Sequence, residues 1–164
     1  MALGDNTTAP ERGSMARGRM PYFIQNEVDM AVAASDKGSA LAAADVIPAL
    51  TVGANTMVLT AGWEVTEAHA GTSTNTAFDL GITGGDTDAF VDGFDFDGAA
   101  VGAYSAVAAG GAQIVGSASD TIDILIQAMT GTTTGGKLRV WAWCMDLDDV
   151  GDLTADEVDR DELA

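Results

Sequence analysis

Along most of the chain, apolar residues recur at every second position rather than every third or fourth, which predicts strands. Tyr22, Ile24, Val28, Met30 and Val32 share one face of a first strand over 22–33, with Asn26 as its only inward polar residue and Gln25, Glu27 and Asp29 opposite. Val46, Pro48, Leu50 and Val52 alternate in a shorter run, and Pro48 makes it an edge strand or a strand start. Met57, Leu59, Ala61, Trp63 and Val65 form the next face, followed by Phe78, Leu80 and Ile82 set against Ala77, Asp79 and Gly81. A short strand is expected over 112–116. A long one carries Ile122, Ile124, Ile126 and Ala128, and a last one is lined by Leu138, Val140, Ala142 and Cys144. Turn chemistry falls where the alternations stop, as at Gly84-Gly85-Asp86, Asp97-Gly98 and Gly135-Gly136. Helical turns are expected only over 39–45 and in the tail over 154–163.

Seven to nine strands with no βαβ rhythm point to an all-β antiparallel β-sandwich, jelly-roll-like, with an extended N-terminal arm. Three segments follow: an arm over 1–21, a sandwich domain over 22–148 and an acidic C-terminal tail over 149–164. The length of 164 residues suits one such domain.

Charge sharpens this division. Seven Lys+Arg against 25 Asp+Glu give a net charge of -18, a surface that repels a phosphate backbone, so no nucleic-acid partner is expected. The few lysines and many aspartates suit a saline setting. Arg12, Arg17 and Arg19 lie in the first twenty positions, whereas 38–136 holds no Lys or Arg and acids crowd the C-terminus. A basic arm on an acidic body could reach an acidic neighbouring surface. There is no basic start followed by an apolar run, and no stretch of membrane-spanning length. A soluble protein made in a cytoplasm, with no membrane partner, is the expectation.

Catalytic chemistry is thinly represented. His69 lies where a strand runs into a loop. Although Ser73 and Glu67 supply atoms nearby, no nucleophile-elbow pattern surrounds them. Cys144, the single cysteine, excludes an internal disulfide and reads as a buried thiol. No phosphate-binding loop or dinucleotide fingerprint is present, so no cofactor is expected. Asp86, Asp88, Asp92, Asp95 and Asp97 fall within twelve residues and are calcium candidates, set against a solvated loop anchored by Phe90, Phe94 and Phe96. The run from Asp146 to Glu157 echoes an EF-hand loop, but Val150 breaks it and a strand precedes it where a helix is required. Trp141 and Trp143 occupy the face of the last strand opposite Cys144, which leaves that strand apolar on both sides. It is then either a covered central strand or part of a subunit interface.

Four runs carry a resemblance: Thr60-Ala-Gly-Trp-Glu-Val-Thr-Glu67, Phe78 through Gly93, Ser119-Asp-Thr-Ile-Asp-Ile124 and Gly135-Gly-Lys-Leu-Arg-Val-Trp-Ala142. Over residues 46–148 the chain resembles small virion structural proteins of tailed phages of marine bacteria and cyanobacteria, nearest to capsid decoration, or cement, proteins. The resemblance implies a non-enzymatic β-sandwich on the capsid exterior. It would often be a homotrimer at three-fold positions, bridging subunits of the major capsid protein. Interface residues are then expected at Arg12, Arg17, Arg19, Tyr22, Trp141 and Trp143. Two alternatives accompany it: another virion component (tail, fibre or head protrusion), or a calcium-dependent adhesion or carbohydrate-binding sandwich.

Overall fold

In the computed structural model, residues 21–105 and 111–147 are described. They form β1 (Tyr22–Asp29), α1 (Met30–Lys37), β2 (Val46–Val52), β3 (Thr56–Gly71), β4 (Thr74–Ile82), β5 (Val91–Phe94), β6 (Gln113–Ile114), β7 (Asp120–Thr130) and β8 (Thr133–Asp146). One sheet has the order β1-β8-β3-β6 and the other β2-β7-β4-β5, and every pairing is antiparallel. That order, with successive strands alternating between facing sheets except for the paired β4 and β5, is the eight-stranded jelly roll.

The core lies between the sheets. Leu138, Val140, Ala142 and Cys144 of β8 meet Ile122, Ile124 and Ile126 of β7, all fully buried, with Trp63 and Phe78 filling the space beside them. Burying each large side chain of this kind contributes about 1.5–3 kcal/mol. The loop after β4 returns to this core through Phe90 and Phe96, both buried, while Phe94 packs at its margin with its ring 5.4 Å from Trp63.

Five sequence expectations change. The first strand stops at Asp29, whose carboxylate accepts from Ala31 N at 2.8 Å and caps α1 in its place. Met30 is fully buried on that helix, and Gly38 ends it in the left-handed conformation (φ 74°), which a side chain disfavours. The 39–45 segment is a turn and a single bridge at Leu41 rather than a helix. In β2 the register shifts between Pro48 and Leu50, so Ile47 and Ala49 face inward before the shift and Leu50 and Val52 after it, leaving Val46 and Pro48 exposed. A second shift between Val58 and Thr60 puts Val58 in the core and moves Met57 out of it. Ala128 is also exposed, near the end of β7. Pro48 stands on an edge strand, since β2 pairs only with β7 among the described strands.

Candidate assembly face

β8 is central in its sheet, and its outward residues are not covered by any described segment of the chain. Register sets the rows of this face. Phe23 of β1 and Thr60 of β3 flank Trp143, Gln25 and Gly62 flank Trp141, and Met57 lies between Met145 and Ile114. Phe23 and Trp143 are 46% and 43% exposed, and Ile114 is 61% exposed. The Phe23 ring is stacked 6.4 Å from Trp141 and meets Trp143 edge-on at 5.6 Å, so three aromatic rings form one outward cluster. Gly62 permits this arrangement, because a Cβ there would stand 2.8 Å from Trp141 Cζ2 and 2.9 Å from Ser105 Oγ.

The other end of the face is charged. Arg139 reaches Glu64 at 3.4 Å, and Lys137 bridges Glu67 at 3.2 Å and Asp29 at 3.6 Å. Such exposed pairs contribute little stability and bound the apolar cluster with a polar margin.

Of the expected interface residues, Trp141 and Trp143 lie together on this face. Tyr22 does not join them. It points to the other side of β1, where its hydroxyl donates to Asp146 Oδ1 at 2.7 Å; burial first, and that bond second, push its pKa up to about 12. Thr56 donates to the same carboxylate at 3.2 Å. Arg12, Arg17 and Arg19 lie outside the described residues, as does the EF-hand-like run beyond Leu147. Phe23 and Gly62 escape the sequence reading. Phe23 could have been found as the residue on the face of β1 opposite Tyr22, but its proximity to two tryptophans follows only from the β1–β8 register.

The acidic loop is used for internal turns. Asp97 Oδ1 accepts from Thr76 N and Thr76 Oγ1, both at 2.8 Å, and the backbone bond foremost holds its carboxyl below the usual range. Asp95 accepts from Gly98 N at 3.1 Å. Asp86 and Asp88 share a hydrogen bond that raises the Asp88 carboxyl. Among the described residues no three metal-ligating side chains converge. His69 is held by hydroxyls: its Nε2 is 2.6 Å from Ser73 Oγ and 3.2 Å from Thr133 Oγ1, and its ring stands edge-on to Phe96. Ser73 is itself shared with Thr133 at 3.2 Å, so this cluster ties the β3–β4 hairpin to the β7–β8 hairpin. Cys144 is buried, and desolvation pushes its thiol up to about 11. No helix among the described residues is long and apolar enough to cross a membrane.

No protein family and no curated protein matches the sequence. Among solved structures, the chain is similar to one in the capsid asymmetric unit of cyanophage Pam1 (TM-score 0.57, 15% identity), the match covering 89% of this chain and 96% of that one. It is similar at the same TM-score and identity to a chain of the capsid of Ralstonia phage GP4, covering 87% of this chain and 91% of that one. At this identity the likeness is one of fold, and nearly the whole length of each chain takes part in it.

Proposed function

We propose that the chain is a non-enzymatic virion structural protein, a capsid decoration or cement protein that binds the outer surface of the major capsid protein lattice and stabilises the phage head. The observation that carries this reading is the outward aromatic cluster of Phe23, Trp141 and Trp143. A jelly roll with a complete core of its own gains nothing in folding from exposing Phe23 and Trp143 beside a partly buried Trp141, whereas an interface does. The likeness of fold to chains from two phage capsids, over most of the chain, supports the same reading, as do the resemblances in β3, β4, β7 and β8.

In this account copies of the sandwich associate as a homotrimer through the aromatic face. Arg12, Arg17 and Arg19 of the arm engage acidic surfaces of neighbouring subunits. Many modest contacts, repeated by lattice symmetry, then sum to a strong attachment without any single tight site. The test is addition of purified protein to undecorated phage shells. Saturating, stoichiometric binding that raises the temperature of shell rupture is expected; shells that sediment without the protein would refute the assignment.

A further inference from the structure

The sandwich is open along the side where β1 and β2, the first strands of the two sheets, both lie at an edge. Among the described strands each has one neighbour and so one free edge, the two being bridged where the Asn26 side chain of β1 donates to the Ala49 carbonyl of β2 at 3.1 Å. Between them, against α1, lies a cleft of about 650 Å³. Val28 and Ile47 are buried at its floor, while Val32 and Val46 are 55% and 48% exposed on its walls. Its charged lining consists of Glu27, Asp29, Asp36 and Asp45 against Lys37, which bonds Asp45 at 2.6 Å; Asp29 also lies 3.6 Å from Lys137, so the acidic excess rests on Glu27 and Asp36.

Unpaired strand edges, an apolar floor and an acidic rim fit an extended peptide that is basic and partly apolar. The chain contains one: Arg12-Gly-Ser-Met15-Ala-Arg17-Gly-Arg19-Met20 carries three positive charges and no acid. We infer that this segment of one copy occupies the cleft of a second copy, so that the arms link neighbouring subunits by strand addition and charge pairing. The inference rests on the assembly reading above and names the partner of the arm.

For a copy's own arm to return along the free edge of its β1, the chain would have to reverse tightly within the residues just before Tyr22, where the strand begins. A second copy's arm has no such constraint, and nine extended residues span about 30 Å.

Cysteine trapping tests this directly in the full chain, with no shell present. The native thiol, Cys144, is buried and does not compete. Met15→Cys and Val32→Cys, made in separate chains, mixed and oxidised, are expected to give a disulfide-linked two-chain product. Its yield should exceed that of Met15→Cys mixed with Ala128→Cys by about tenfold, the effect of a raised local concentration. Asp36→Lys should abolish the excess. No excess product, or a link that forms only within one chain when both substitutions are combined, would overturn the inference. Linkage without shell binding would leave it standing and remove the decoration reading; shell binding without linkage would do the reverse.

Discussion

Gly62 lies beneath the indole of Trp141, so close that a methyl group on its Cα would stand 2.8 Å from Cζ2 of the ring. A glycine in a central strand weakens it locally, and here the loss permits an aromatic ring to lie across the sheet and meet Phe23 from the neighbouring edge strand. Gly62→Ala should therefore tilt Trp141 outward. Because that ring is only partly buried, the expected cost to the fold is about 1 kcal/mol, at the lower end for overpacking. Urea unfolding measures it, and Trp fluorescence of the native state should shift. An unshifted spectrum would mean that Trp141 does not rest on Gly62.

Trp143→Ala should separate assembly from folding. With 43% of Trp143 exposed, truncation removes little core packing and should cost the fold under about 1 kcal/mol. Truncating a central aromatic at an interface typically costs 2 kcal/mol or more, about thirtyfold in association. Sedimentation and chemical denaturation on the same sample give both numbers. Loss of fold stability with unchanged association would assign Trp143 to the monomer.

Two tyrosines occur in the chain, and one of them should ionise late. Tyr22 is raised from 10.0 to about 12 in the folded state, so its neutral form is favoured there. The stability linked to it is fully present below pH 10 and is lost as pH rises toward 12. Ultraviolet titration of tyrosinate should show a step near 12 that Tyr22→Phe removes. The substitution should also flatten the alkaline loss of stability between pH 10 and 12.

Asp79 offers a pH effect of the same sense in the acid range. It is 1% exposed on β4, and burial raises its carboxyl, partly offset by the bond its Oδ1 accepts from Gly93 N at 2.8 Å. A carboxyl raised by burial is destabilising where it must be charged, so its contribution improves as pH falls through the folded pKa. Asp79→Asn keeps the acceptor and removes the charge. The variant should melt higher than the parent at pH 7, with the difference shrinking toward pH 4. An equal or lower melting temperature at pH 7 would mean that the charge is compensated.

Cys144 should be silent in the native state. Burial and a thiol pushed up to about 11 deny a disulfide reagent both access and thiolate. Reaction is expected only in denaturant. Labelling of the folded protein at neutral pH would indicate local opening of β8.

Much of this architecture is legible in the residues, and the failures share a physical cause. Phe78, Leu80 and Ile82, or Leu138 through Cys144, alternate along central strands, and each of these inward side chains is buried. The parity of β2 and β3 breaks at register shifts near Ala49 and Leu59; Pro48 flanks the first, and no glycine or proline marks the second. The β1–α1 boundary was signalled by Asp29 and Gly38, a cap at each end. Those signals are overridden when Met30 and Val32 happen to continue the alternation. The assembly face was half legible: the two tryptophans stand out on β8, but Phe23 joins them through pairing across more than a hundred residues, which local pattern does not encode.

Sedimentation of the purified protein, alone and then mixed with undecorated phage shells, tests the central claim most directly. The account predicts a trimer that pellets with the shells in fixed proportion, with both properties weakened by Trp143→Ala. A monomer that stays in the supernatant when shells are present would contradict it.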